Sequence, residues 1–416
     1  MSFMRRRQGG GRPGGHVSGG SGRPQGGHTG GRGRSGGGGQ GRTRNHQNSG
    51  AKIDISRFIN KATAVEEVKY EAKHKFEDFP LNAILKTNIA NKGYKSPTPI
   101  QDQAIPPIIK GQDVVGIAQT GTGKTAAFLI PLINKVLFNP REKVLILAPV
   151  RELASQIRDE FMGFSKGMHL YSALCVGGMG IVPQMRDMKR NPNFVIATPG
   201  RLRDLIKRRA INLEQFQNIV LDEADRMVDM GFIHEVKYIL SLMSKKRHSL
   251  FFSATVSPAV HGLIQQFLTN PVTVSVKVRE TSSNVDQEII KITDKAKKMD
   301  ILQDLLRKPD FNKVLIFGRT KHGVEKISDT LRKAGFHAAS IHGNKTQNNR
   351  QKALDMFKKG ELNVLVATDV AARGLDISDV SHVINYDVPA TYEDYVHRIG
   401  RTGRANKAGS AVTFVE

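Results

Sequence analysis

Ala118-Gln-Thr-Gly-Thr-Gly-Lys-Thr125 follows an apolar run, Val114-Val-Gly-Ile117, and opens into Ala126-Ala-Phe-Leu-Ile130, which reads as the start of a buried helix. A strand, a glycine-rich turn and a helix beginning at Lys-Thr are the context that a phosphate-binding loop requires. Gly121 and Gly123 let the backbone curl so that successive N–H groups face phosphate oxygens, and the helix N-terminus adds partial positive charge. Gln119, Thr120, Gly121, Thr122 and Gly123 would then cradle a nucleotide. Lys124 would reach its β- and γ-phosphates, and the Thr125 hydroxyl would ligate Mg²⁺. The pattern opens on Ala118 where its strict form has glycine, and the plainer alternative is a glycine-rich turn with a surface lysine.

A second signal lies about 100 residues on, in Asn218-Ile-Val-Leu-Asp222-Glu223-Ala-Asp225. Carboxylates appear just as an apolar strand ends, where a nucleotide-binding sheet places its metal-holding aspartate. Asp222 would hold Mg²⁺, largely through water, and Glu223 would orient and deprotonate an attacking water. The alternative is an acidic first turn complementing a helix dipole.

Around these two stretches, short β-rich runs alternate with helical periodicity. Asp113–Ile117, Val144–Ala148, Leu170–Val176, Phe194–Ala197, Ile219–Leu221 and Ser249–Phe252 read as strands, with helices at Gly123–Val136 and Arg151–Phe164 among them. A second block has strands at Glu288–Ile292, Val314–Phe317, Ala338–Ile341, Val364–Ala367, His382–Asn385 and Ala411–Val415. Such alternation argues α/β domains with parallel sheets covered by helices. We expect a first domain over 76–273, a linker over 274–287 and a second domain over 288–416. Residues 51–75 carry Ile53, Ile55, Phe58, Ile59 and Ala62 at roughly helical spacing, compatible with a short helix that packs on the core or docks a partner, a choice the sequence leaves open.

Residues 1–50 hold nine Arg, 19 of the 41 Gly, no Lys and no acidic residue, with Phe3 as the only aromatic. Such a segment buries too little apolar surface to offset its chain entropy, and a disordered basic tail is expected. The tail accounts for +9 of the formal net charge of +25, leaving +16 on the remaining residues. A polyanionic partner such as nucleic acid fits this charge, with an anionic membrane surface as the weaker alternative. No apolar run reaches a membrane span, no signal peptide is evident, and the one cysteine, Cys175, excludes an internal disulfide framework. A soluble, intracellular protein is expected.

Asp222-Glu-Ala-Asp225 spells the name of the DEAD-box RNA helicases, and the chain resembles that family over about 340 residues from Phe76 onward, with its motifs in order. Phe76 and Gly93-Tyr-Lys-Ser-Pro-Thr-Pro-Ile-Gln101 look like the adenine-reading segment. Phe76 can stack on a purine, and the Gln101 amide can pair with an adenine edge. Ser253-Ala-Thr255 resembles the motif that couples ATP to RNA, in which Asp225 and His397 would share. For RNA the resemblance implies Arg151, Gly177, Gly178, Thr198, Pro199, Gly200 and Arg201 in the first domain, and Gln347, Arg350 and Thr368 in the second. Position 150 is Val where the family usually has Thr. Gly374 and Asp376 would face ATP, with Asp376 on the ribose, and His397-Arg-Ile-Gly-Arg401-Thr-Gly-Arg404 would bring Arg401 and Arg404 to the transferring phosphoryl group. Their spacing of three puts both on one face of a helical turn. The chain stops at Phe414-Val-Glu416, where family members usually continue into another helix.

The resemblance implies two tandem RecA-like domains and an RNA-dependent ATPase, using ATP and Mg²⁺, that locally unwinds or remodels RNA in the cytoplasm. It also implies a monomeric core with little sequence specificity. Two other readings stay open: a DNA-directed translocase on the same architecture, and an ATP-dependent clamp or assembly platform on RNA.

Overall fold

The computed structural model describes residues 58–60, 70–119, 121–276, 285–372, 377, 380–403 and 409–416. In the first domain the apolar runs become β1 Val114–Ile117, β2 Val144–Leu147, β3 Ser172–Cys175, β4 Phe194–Ala197, β5 Asn218–Asp222, β6 His248–Ser253 and β7 Val272–Ser275. Every pairing is parallel, in the order β3-β4-β2-β5-β6-β1-β7. The inner strands β2, β4, β5 and β6 are buried along their whole length because helices cover both faces. The edge strands β3 and β7 alternate instead.

The second domain contains β8 Val285–Lys291, β9 Val314–Phe317, β10 Ala338–Ile341, β11 Val364–Ala367, β12 His382–Asn385 and β13 Gly409–Val415, parallel in the order β10-β11-β9-β12-β13-β8. Two apolar clusters flank each sheet. No helix among the described residues is long and apolar enough to cross a membrane. Cys175 is buried in β3, and burial pushes its thiol up to about 12, so it is a packing residue.

One expectation needs correction. The segment 274–287 is not linker throughout: Val274 and Ser275 pair with β1, and β8 pairs with β13 from Val285 on. Of residues 51–75 only 58–60 and 70–75 are described, so the short helix falls mostly outside the described residues. Phe58 is packed into the second domain, and Asn60 makes an antiparallel bridge to Gln287. The Gly/Arg-rich tail lies outside the described residues.

Candidate active site and nucleic-acid groove

Sheet order assembles the first half of the site. Strand β6 lies between β5 and β1, with Ile117 beside Ser253 and Asp222 beside Phe252. The glycine-rich loop after β1, the carboxylates after β5 and Ser253-Ala-Thr255 after β6 therefore leave the same edge of one sheet, where open α/β folds bind ligands.

Gly123 caps the helix Lys124–Phe138 with φ +93°, a conformation that suits glycine, and a Cβ there would strike the Gln101 amide nitrogen. Gln101 is fully buried, and both ends of its amide are engaged within the chain. Its Oε1 accepts from Thr98 N at 3.0 Å, its Nε2 donates to the Gly123 carbonyl at 3.1 Å, and Thr98 Oγ1 donates to the Thr122 carbonyl at 2.8 Å. The residue expected to read adenine thus holds the phosphate loop. Phe76 is likewise packed edge-on against Phe79 and Tyr94 in the core, with little ring exposed for stacking.

Lys124 is buried, and its Nζ donates to the Ala118 carbonyl at 2.7 Å. Burial raises the Asp222 carboxyl to about 7, opposed by the Lys124 charge and reinforced by the neighbouring Glu223. Asp222 Oδ1 is a buried acceptor without a hydrogen-bond partner among the described residues. A buried, unpartnered carboxylate oxygen suits a hard cation.

Glu223 has φ +55°, in the left-handed region, and its carboxylate accepts from Arg226 Nη1 at 2.5 Å. Glu223 and Arg226 are 5% and 4% exposed, so this is a buried pair. Asp225 turns the other way. Its Oδ2 accepts from the backbone of Ala254 and Thr255 and from Thr255 Oγ1, while Asp225 N donates to Ser253 Oγ. Asp225, Ser253 and Thr255 form a direct hydrogen-bonded cluster.

Arg226 also faces the second domain. It lines one small cavity with Phe317, Asp369, Asp394, His397, Arg398 and Arg401. Arg398 forks onto Asp369, with Nε to Oδ1 at 2.6 Å and Nη2 to Oδ2 at 2.8 Å, and it also donates to Asn385 and the Asp387 carbonyl. The helix Tyr392–Ile399 ends before Arg401, and Gly403 has φ +66°. The expectation that Arg401 and Arg404 share a helical face is therefore wrong at Arg401. Thr120, Gly374, Asp376 and Arg404 lie outside the described residues.

A cleft of about 690 Å³ spans both domains and is lined by Arg151, Gly177, Gly178, Thr198, Gly200 and Arg201, with Arg350 from the second domain. Pro199, Gln347 and Thr368 adjoin it in sequence without lining it. Arg151 lies over Gly178, where any Cβ would overlap its guanidinium, and burial lowers its pKa, with Glu152 opposing and Arg350 adding to that shift. Nε and Nη1 of Arg201 and Nε of Arg350 are buried donors with no hydrogen-bond partner among the described residues. Glu152 crosses the cleft, meeting Arg350 Nη2 at 2.8 Å and Gln347 Nε2 at 3.2 Å. Sequence reasoning missed Glu152, Arg203, Lys207, Arg226 and Arg398. The i,i+3 spacing of Glu223 and Arg226 was the available signal for one of them.

Gly343 closes one side of the cleft, and its loop hangs on Glu325. That carboxylate accepts from Ser340 Oγ at 2.6 Å and Lys345 Nζ at 2.8 Å, and sits 2.7 Å from His342 Nε2. Burial works against the charged form, but these partners hold Glu325 down at about 2. Because the folded value lies below the unfolded one near 4.5, the carboxylate's contribution is present above pH 4.5 and lost as pH falls towards 2. Urea unfolding of Glu325→Gln should show a stability deficit at neutral pH that shrinks as the pH is lowered through that window. A deficit that does not change with pH would remove the ion-pair explanation.

The DEAD/DEAH box helicase family model matches residues 98–263, and the helicase conserved C-terminal domain matches 297–406. The ATP-dependent RNA helicase CshA of Limosilactobacillus reuteri is 45% identical over 343 residues, covering 82% of this chain and 69% of that protein. The DEAD-box ATP-dependent RNA helicase CshA of Bacillus subtilis is 45% identical over 342 residues, covering 82% and 69%. Among solved structures, S. cerevisiae Dbp5 bound to RNA and ADP BeF3 is 30% identical with a TM-score of 0.72, covering 82% of this chain and 89% of that one. Mss116p bound to ssRNA and AMP-PNP is 31% identical with a TM-score of 0.74, covering 83% and 76%. Motif geometry, family models and relatives agree: with two RecA-like domains and this site between its sheets, the chain belongs to the DEAD-box ATP-dependent RNA helicase family.

Proposed function

We propose that this protein is an RNA-stimulated ATPase that remodels RNA duplexes and RNA–protein complexes by closing its two domains around ATP and RNA. The observation that carries the reading is Arg226, which bonds Glu223 on one side and lines the cavity holding Arg401 on the other. Through it, the ATP half-site of the first domain meets the arginine segment of the second.

Lys124 exchanges the Ala118 carbonyl for phosphate oxygens when ATP enters, and the phosphate-loop N–H groups hold the rest of the charge. Asp222 and Thr125 are the residues fit to hold Mg²⁺, which supplies charge neutralisation at the phosphates. Glu223 takes the proton of the attacking water. Arg401 brings a planar cation to the transferring group. Asp225 passes the state of the loop to Ser253-Ala-Thr255. On the RNA side, the unpartnered donors of Arg201 and Arg350 suit phosphate oxygens, so contacts fall on the backbone and sequence preference is weak. Thr198, Pro199, Gly200, Gln347 and Thr368 support the same path. Residues 1–50 would add salt-dependent affinity through their nine arginines. Action in the cytoplasm as a monomeric core belongs to the same proposal.

Steady-state ATP hydrolysis, measured without nucleic acid, with RNA and with matched DNA at one salt concentration, tests the reading. Strong stimulation by RNA alone is expected. Equal stimulation by DNA would favour a translocase, and no stimulation by either would favour a clamp.

A further inference from the structure

A formal charge of +16 lies outside residues 1–50, and part of it gathers on one edge of the first sheet. Because the strands of that sheet run parallel, the loops that enter them line the edge opposite the ATP site. The loop entering β2 carries Arg141, the loop entering β4 carries Lys189 and Arg190, and the connection into β5 carries Arg208 and Arg209, all exposed. These three strands are neighbours, in the order β4-β2-β5. Lys245 and Lys246, also exposed, precede β6, the next strand along. Neighbouring strands lie about 4.8 Å apart, so the four entries form a row about 15 Å long.

The row is a fixed platform. Lys143 N donates to Gln217 Oε1 at 3.0 Å, and Lys143 Nζ donates to Gln215 Oε1 at 3.0 Å and to Asn191 Oδ1. Val144 N donates to the Asn193 carbonyl at 2.9 Å. The entries to β2, β4 and β5 are therefore bonded to one another, with the Lys143 side chain held between neutral amides. Acids nearby cancel little of the charge. Glu142 turns inward, accepting from Asn218 Nδ2 at 2.7 Å and lying 3.6 Å from Lys135 Nζ. Asp187 lies 3.7 Å from Arg190 Nη1, and Glu214 is the one acid between Arg209 and β5.

The platform is continuous with the cleft between the domains. The helix Pro199–Lys207 starts at the cleft, where Gly200 and Arg201 line it, and the same lining reaches Arg203, Asp204 and finally Lys207 at the other end. Nine residues at about 1.5 Å each make this wall about 13 Å long. Arg203 is partly offset by Glu235 at 2.8 Å. Arg208 and Arg209 follow Lys207 directly, so the wall of the cleft leads onto the basic row.

We propose that this edge is a second RNA-contact surface, which receives the phosphate backbone of a helical arm flanking the strand bound in the cleft. The surface presupposes the RNA-directed function proposed above and gives structured RNA a place outside the cleft. Exposed guanidinium and ammonium groups on a rigid frame contact phosphates without reading bases. The edge therefore adds affinity for any RNA that carries such an arm, and that added affinity weakens with salt.

The test compares the full chain with a variant carrying Arg141→Gln, Lys189→Gln, Arg208→Gln and Arg209→Gln. A charge-matched control carries Lys291→Gln, Lys308→Gln, Lys333→Gln and Lys359→Gln, all exposed in the second domain. Two RNAs are used, a single strand of about eight nucleotides and the same strand joined to a hairpin. The edge variant should bind the short strand, and be stimulated by it, as the parent is. Its affinity for the hairpin-joined RNA should fall about tenfold or more, with a slope of log K against log salt shallower than the parent's by about 2–4. The control should stay near the parent on both RNAs. Equal losses in the edge variant and the control, or an unchanged affinity for the hairpin-joined RNA, would overturn the assignment. Loss of binding to phosphatidylserine vesicles with hairpin-joined RNA still bound would give the edge to a membrane and overturn it too. If the edge variant fails the short-strand comparison, Arg208→Gln with Arg209→Gln alone is read the same way, with a slope change of about 1–2. If RNA does not stimulate the parent's ATPase but the edge variant selectively loses the hairpin-joined RNA, the surface stands and the RNA-stimulated function falls.

Discussion

Replacing Glu223 by Gln should lower RNA-stimulated ATP turnover by about 10²–10⁴-fold, the usual contribution of a positioned general base. Binding of ATP and RNA should survive, because Lys124, the phosphate loop and the cleft arginines are untouched. The substitution keeps the size of the side chain and the hydrogen bond that its carbonyl oxygen accepts from Arg226. It removes the capacity to take a proton and the negative charge that offsets Arg226. Removing Arg226 is a different experiment: it strands a carboxylate that is 5% exposed, and losing one partner of a buried pair costs about 3–5 kcal/mol. The two effects separate in a thermal melt, where Glu223→Gln, which keeps a hydrogen-bonded partner for Arg226, should lose less stability than removal of Arg226. Turnover of Glu223→Gln within a few-fold of the parent would remove the base assignment.

Arg401→Lys should cost more, about 10³–10⁵-fold in turnover at saturating ATP and RNA, the range for an arginine that neutralises transition-state charge. Lysine retains the charge but not the planar fork. Arg401 is buried at the turn after the helix Tyr392–Ile399 and lines the same small cavity as Arg398, which Asp369 fixes, so the shorter point charge has little freedom to compensate. Pre-steady-state phosphate release should show the loss in the hydrolysis step. If only ATP affinity changes, Arg401 is a binding residue.

The strands are largely legible because parallel strands buried on both faces become unbroken apolar runs; β9 Val314–Phe317 and β12 His382–Asn385 have the bounds expected of them. Edge strands fail that test. β7 and the start of β8 alternate with polar residues and resemble a linker. Motif order brings Arg151, Gly178, Arg201 and Arg350 to one cleft, but no periodicity shows that Glu152 stands between them. The helical reading of Arg401 and Arg404 passes over Gly400 and Gly403, which are stop signals. Gln101 reads in the sequence as a ligand contact, whereas its buried amide first satisfies its own backbone neighbours.

The crossing of Glu152 to Arg350 and Gln347 changes the ion accounting of the cleft. An arginine beside a carboxylate already has a fixed counterion. A phosphate arriving there takes Arg350 from Glu152, so the contact is an exchange of anions as well as a gain of charge. Such an exchange contributes less to the salt dependence of binding than a free arginine does. It also makes Glu152, which here links the two domains, a competitor with RNA for the same cation.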